Sequence, residues 1–248
     1  MNIEGPAEQR CAEEIDILRE LLPLADAEVL ELGCGAAEKT RKIAEQTGTR
    51  AIVAAEVDRI QHARNLAIGD LPEVTFRSYG AEAIDEPKEC FDIVILFKSL
   101  HHVPLHALDR ALGEIHRVLK PGGLVYICEP VYAGAYNEII RLFHDEADVR
   151  RAAFDAVCRA VDGGVLQLES QTFFKNRVRM KHFGQFERGV LGVTHTNFSL
   201  TPEILAEVRT RFERHRSDEG YVFEIPNRVD LLRKPIQSNS TTSTTVKA

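Results

Sequence analysis

Over its first 130 residues this chain passes repeatedly from a short apolar run into a stretch of helix formers, and no other feature narrows its fold so far. AEVLELG leads to AAEKTRKIAEQTGTR and RAIVAAEVD to RIQHARNLAIG; VTFRSY and CFDIVILFKS follow, then LHALDRALGEIHRVL and the apolar run LVYICEP. Strands separated by helices pair in parallel and are covered on both faces, which is why CFDIVILFKS is apolar throughout its centre instead of alternating. Helix stops are written as Thr47-Gly48 and as Lys120-Pro121-Gly122-Gly123. Ahead of the first strand, Ile15, Leu18, Leu21 and Leu22 recur at helical spacing up to Pro23, which predicts an amphipathic helix over 7–22.

The rhythm breaks after residue 130. NEIIRLFHDEADVRRAAFDAVCRAVD predicts one or two helices, and LQLESQTFFKNRVRMKHFGQFERGVLGV has no clean period. It resumes at Thr201-Pro202, an N-cap followed by proline in the first turn, with a helix to His215 and two candidate strands, YVFEI and RVDLLRK. The expected organisation is an N-terminal helix (1–24), an α/β core (25–130), a mostly helical insertion covering the end of the sheet (131–199), a closing helix and strands (200–235) and a disordered polar tail (236–248).

Composition excludes several classes. The 248 residues are 44% hydrophobic and carry a net charge of -7, which argues against a broad electropositive face for nucleic acid. Charge is uneven: residues 1–130 hold 14 basic and 23 acidic side chains, the remainder 17 and 15. Five cysteines form no CxxC pair and no zinc spacing, as expected of reduced thiols in a cytoplasmic protein. No secretory start and no apolar run of about 18 residues is present, so no membrane association is expected.

In VLELGCGAAEKT, Gly33 and Gly35 turn the chain from strand into helix, and the turn's N–H groups are expected to point outward toward an anion or carboxylate. Glu56 ends the second strand 21 residues after Gly35, where a ribose diol needs acceptors, while Asp58 reads as a bystander. A dinucleotide site would need G-x-G-x-x-G, yet Glu38 stands three past Gly35, so a nicotinamide-dependent oxidoreductase is disfavoured.

ELGCG, Glu56, FDIVILFKSLHHVP and RVLKPGGLVYICEP, in that order and spacing, resemble the class I S-adenosylmethionine-dependent methyltransferases of small molecules. The resemblance implies an α/β, Rossmann-like, mostly parallel seven-stranded sheet with helices on both faces and an antiparallel last strand. It implies S-adenosyl-L-methionine as cofactor, S-adenosyl-L-homocysteine as product and no metal. Glu31, Gly33, Cys34 and Gly35 would then line the methionine end, Glu56 with Val57 the ribose, and Ala81 the adenine, with Phe97 and Lys98 at the end of the fourth strand. Two departures stand out. Ala37 replaces a third glycine, and Gly80 occupies the place of an adenine-binding Asp, so Glu82 or a water is expected to supply the acceptor.

His101 and His102 follow the fourth strand, where open α/β sheets bind ligands, and are the candidate proton acceptors, at most one of them facing the cofactor. Glu129 and Tyr132 share that rim, Glu129 as a catalytic residue or as a hydrogen-bond partner of a loop and Tyr132 as a residue that binds the acceptor. In the insertion, Arg141 and His144 project toward an acceptor or form surface ion pairs, and His195 marks the return to the core. Lys175, Arg177, Arg179, Lys181 and Arg188 lie among Phe173, Phe174, Phe183 and Phe186. They clamp an anionic or aromatic substrate, or form a solvated face over buried phenylalanines. The function this predicts is methyl transfer to a small molecule by a monomer or homodimer, with thiol S-methylation a subclass to test. The alternative is a non-catalytic S-adenosylmethionine sensor or partner-binding protein.

Overall fold

A computed structural model describes residues 1–191 and 200–236. The alternation seen in the sequence becomes β1 (Glu28–Leu32), α2 (Glu38–Thr47), β2 (Ala51–Ala55), α3 (Arg59–Asn65), β3 (Val74–Arg77), β4 (Phe91–Phe97), α4 (Leu108–Val118) and β5 (Leu119–Pro130), preceded by α1 (Glu14–Leu21). Then follow α5 (Ala135–Ile140), α6 (Ala147–Asp162), β6 (Gln167–Met180), α7 (Phe183–Phe186), α8 (Pro202–Glu213), β7 (Arg216–Ser217) and β8 (Gly220–Arg233). The sheet runs β3-β2-β1-β4-β5-β8-β6, with β1 to β5 parallel, β8 antiparallel to both its neighbours, and the two-residue β7 hanging from β8.

Three differences from the sequence reading have physical causes. The aperiodic part of the supposed helical cover contains β6, which pairs with β8 along its whole length and forms the sheet edge. Its period of two is legible only at its two ends, Gln167 to Ser170 and Arg177 to Met180, where exposed and half-buried residues alternate, because both faces of the middle are partly covered. The candidate strands YVFEI and RVDLLRK are one strand, β8, continuing through Pro226. Pro226 faces Lys175, whose N–H and C=O bond to Arg10 and Ala12 on the other side, so β6 asks no N–H of the proline. Those bonds also hold residues 10–12 extended along the edge strand, and α1 therefore begins at Glu14 and not at residue 7. The tail expected to be disordered lies, from residue 237 on, outside the described residues.

Two apolar clusters cover the faces of the sheet. One is built with α4 and α6, the other with α1 and α2. A third gathers Phe183, Phe186, Phe212, Tyr221 and Phe223 where α5, α7 and α8 meet the start of β8. The phenylalanines of the basic segment are thus largely core: Phe174, Phe183 and Phe186 are buried, and truncating one that is fully buried costs about 3–5 kcal/mol.

Candidate functional site

At the carboxyl ends of β1, β2 and β4 lies a cavity of about 770 Å³. The glycine turn is tighter than a phosphate cradle: Gly33 N–H and Cys34 N–H both donate to Ala55 O, at 2.9 and 3.0 Å, and Gly35 N–H donates to Glu56 Oε2 at 2.8 Å. These amides do not point outward as the sequence suggested, so the turn offers no ready nest for a diphosphate. Gly33 (φ +76°) is required twice over, since a Cβ there would lie 2.6 Å from Ser99 Cβ. Ala37, in place of a third glycine, is held in the left-handed region at φ 59° and precedes α2.

Glu56 is buried at the cavity wall, and its other oxygen accepts Asp58 N–H at 2.8 Å. Each oxygen thus holds one backbone N–H and keeps a lone pair for a hydroxyl. Asp58 caps α3 by accepting Ile60 N–H at 2.8 Å and borders the same cavity, which is more than a bystander does. On the far wall, a Cβ added to Gly80 would lie 2.7 Å from the carboxyl carbon of Glu82. The Glu82 carboxylate therefore fills the volume that a side chain at position 80 would occupy.

A second cavity, about 350 Å³, adjoins the first and shares Lys98 and His102 with it. Val131, Tyr136, Ile140, Phe143, Val178 and Ile225 make it mainly apolar, and Asn137, His144, Glu146 and Arg150 form a polar side. Lys98 stands at the junction with φ 53°, a strained value for a non-glycine residue, and its Nζ is 3.6 Å from the buried Glu14 of α1. Burial pushes the Glu14 carboxyl up, but Lys98 and Lys39 outweigh it and hold the group below the usual carboxylate range.

His101 is buried behind this junction. Its Nδ1 bonds to Glu129 Oε2, and its Nε2 is 3.6 Å from Glu146 Oε1. Burial opposes charging the ring, yet the two carboxylates prevail and raise its pKa from 6.5 to about 9. Glu129 and Glu146 are correspondingly held low against their own burial, by His101 and, for Glu146, by Arg150 as well. An imidazolium engaged at both nitrogens has no lone pair to offer, so the geometry corrects the reading of His101 as a base and of Glu129 as catalytic; Glu129 accepts Leu100 N–H at 3.0 Å, the loop hydrogen bond of the alternative reading. Both belong to an ion triad joining β5 to the segment before α6. His101, His102 and Glu146 bring possible ligand atoms within 4.8 Å of one another, the two histidines from one turn and Glu146 from the segment before α6. A metal ion there would have to displace the proton that the carboxylates hold on His101.

Residues 29–123 match the family model described as "Methyltransferase domain". This stretch of the chain is a methyltransferase domain. Curated relatives include a sterol 24-C-methyltransferase of Eremothecium gossypii, 32% identical over 132 residues that make up 51% of this chain and 33% of that protein. The ubiquinone/menaquinone biosynthesis C-methyltransferase UbiE of Hydrogenovibrio crunogenus is 33% identical over 120 residues, 44% and 46% of the two chains. In both cases the matched stretch is less than half of the relative's length. In fold, the chain resembles the YcgJ protein of Bacillus subtilis (TM-score 0.59, 17% identity, 89% of this chain and 97% of that one). It also resembles the [4+2]-cyclase SpnF (TM-score 0.57, 20% identity, 90% and 80%).

Within the methyltransferase domain, Gly33, Gly35, Glu56, Val57, Ala81, Glu82 and Lys98 border the first cavity. Glu31, Cys34 and Phe97 do not. Glu31 lies beneath the turn, accepting Thr40 Oγ1–H at 2.6 Å, and burial raises its pKa from 4.5 to about 7. Cys34 receives Asn65 Nδ2 at 3.5 Å, and burial pushes its thiol up. Phe97 packs edge-on against Tyr126. Sequence reasoning missed Gln61, Arg64, Tyr79 and Ser99 at the same cavity. Spacing gave a signal only for Gln61, one helical turn past Val57 and Asp58.

Of the residues expected to bind an acceptor, His144 borders the second cavity, with Nε2 2.9 Å from Glu146 Oε1. Tyr132 donates to Asp145, Arg141 pairs with Glu138, and Arg177 with Glu224, so none of the three borders either cavity. These corrections share a cause: each side chain has an acidic partner on its own or an adjacent segment. His195 lies outside the described residues. Among those residues no helix is long and apolar enough to cross a membrane.

Proposed function

We propose that this protein transfers the methyl group of S-adenosylmethionine to a small-molecule acceptor seated in the second cavity. The observation that carries the proposal is the pair of adjoining cavities sharing Lys98 and His102, the first of them walled by Glu56. When bound, S-adenosylmethionine supplies an electrophilic methyl group on a sulfonium centre. Glu56 would hold the ribose hydroxyls with its remaining lone pairs, and Glu82, in the volume left by Gly80, would accept from the adenine amino group. Carboxylates at Glu56, Asp58 and Glu82 suit a cofactor bearing a sulfonium and an ammonium, whereas a diphosphate would meet satisfied amides and like charge.

His102 is the side chain that would take a proton from an acceptor, because it borders both cavities while His101 is committed to its carboxylates. The segments carrying α5 and α6 would cover the acceptor and exclude water. The apolar walls favour an acceptor with an apolar body and a polar head, and thiol S-methylation belongs to the same test. A small-molecule partner and a cytoplasmic location are part of this reading.

Thermal unfolding with S-adenosylmethionine, S-adenosylhomocysteine and NAD tests it. At about 100 times the dissociation constant a ligand adds about 2.7 kcal/mol, a rise of about 5–10 °C for a chain of this length. The expected result is a shift with both sulfur nucleosides, none with NAD, and loss of the shift in Glu56→Ala. A shift with NAD alone would refute the proposal.

A further inference from the structure

An amide N–H buried without a partner is costly, so such an atom on a residue that lines a cavity marks where a ligand atom belongs. Among the described residues the buried side-chain atoms without a partner are Gln9 Oε1, Glu14 Oε1, His62 Nδ1, Tyr126 Oη, Asn137 Nδ2 and Asn227 Oδ1. Of these six residues only Asn137 borders either cavity. Its side chain is fixed. Oδ1 accepts Arg150 Nη1–H at 3.1 Å, and the Arg150 guanidinium is held in turn by Glu146 Oε2 at 2.6 and 3.1 Å. A guanidinium only donates, so the amide cannot be flipped without setting donor against donor, and Nδ2 is the end left without a partner.

We infer that Asn137 Nδ2 recognises an oxygen of the methyl acceptor, an inference that rests on the acceptor role proposed for the second cavity. Asn137 is 8% exposed and shares the cavity with the apolar side chains of Val131, Ile140, Phe143 and Ile225. The ligand class is therefore a compound with an apolar ring or chain and a hydrogen-bond-accepting oxygen, such as a carbonyl or an enolate. A body of pure hydrocarbon would leave the amide donor unpaired. An acceptor group that only donates would meet another donor.

Calorimetric titration of the full chain at pH 7, saturated with S-adenosylhomocysteine, with 1-tetralone and with tetralin measures this directly. The two probes share a bicyclic frame and differ in one carbonyl oxygen. Asn137→Asp keeps Oδ1 for Arg150 and replaces the donor by an acceptor, while Asn137→Leu removes both. The expected result is a fall of about fivefold or more in the ratio of tetralone to tetralin affinity in each variant, the loss of about one hydrogen bond. An unchanged ratio in either variant that retains the parent's circular dichroism overturns the inference, and so does a parent that binds neither probe. Titration of S-adenosylhomocysteine alone separates the claims. Failure of the parent to bind it refutes the methyltransferase reading, whereas normal binding with an unchanged tetralone ratio refutes the role of Asn137 only.

Discussion

Replacing Glu31 by glutamine is expected to stabilise the protein at pH 8 and to change it little at pH 5. Glu31 is 1% exposed on β1, with Thr40 Oγ1 donating to it at 2.6 Å. Burial is the largest influence on its carboxyl; Glu14 and Glu56 add to it, Thr40 and Lys39 oppose it, and the pKa rises from 4.5 to about 7. In the unfolded chain the group ionises near 4.5. Between these values the folded chain therefore holds a proton that the unfolded chain has lost, and raising the pH favours unfolding. With each pKa unit worth about 1.4 kcal/mol, about 3 kcal/mol of stability is lost between pH 4.5 and 7. Glutamine offers Thr40 the same oxygen and carries no charge, so the variant lacks this slope. Urea unfolding followed by far-ultraviolet circular dichroism at pH 5, 6.5 and 8 should show a gap between variant and parent that grows from under about 1 to about 3 kcal/mol. A gap that does not change with pH would refute the argument that Glu31 is buried as a titrating acid. If the ammonium of the cofactor lies near Glu31, ligand binding at pH 6.5 also releases part of a proton from the parent and none from the variant, which calorimetry in two buffers reads.

The ion triad behaves oppositely at its centre. His101 is charged in the folded chain up to about pH 9, so its contribution, up to about 3 kcal/mol, is complete below pH 6.5 and lost between 6.5 and 9. His101→Leu should remove that window and cost about 3–5 kcal/mol at pH 6, because it leaves Glu129 buried without its ring partner. Gly80→Asp should weaken S-adenosylhomocysteine binding about tenfold or more by colliding with Glu82, and adding Glu82→Ala should restore most of it, as isothermal titration would register. With an acceptor in hand, His102→Gln should lower kcat by about 10² or more at unchanged S-adenosylhomocysteine affinity. A loss confined to KM would deny it the proton.

The parallel core was legible because its strands carry local signals. Continuous apolar runs, glycine turns and helix stops at Gly48 and Lys120-Pro121-Gly122 each report their own residue's surroundings. Glu56 was legible for the same reason, since its place is set by a fixed distance from the turn. The edge strand β6 was not, because its faces are half-covered by segments distant in sequence, including residues 10–12. The roles of His101 and His102 were not legible either. Adjacent residues look equivalent in a sequence, and what marks His101 is its buried bond to Glu129, a partner 28 residues away.

The same contrast bears on specificity. The turn that identifies the cofactor class does so through glycines, yet its amides are spent on Ala55 O and Glu56, and what remains open to a ligand is carboxylate oxygen. Selection for a positively charged nucleoside over a diphosphate thus comes from how the turn satisfies itself, which G-x-G alone does not encode. Asn137 presents the complementary case at the other cavity, where the amide is oriented by Arg150 and left one partner short. Discrimination at each end is set by which buried polar groups the fold has already paired, so changing Arg150, which holds the Asn137 amide by its oxygen, should alter ligand choice at the second cavity.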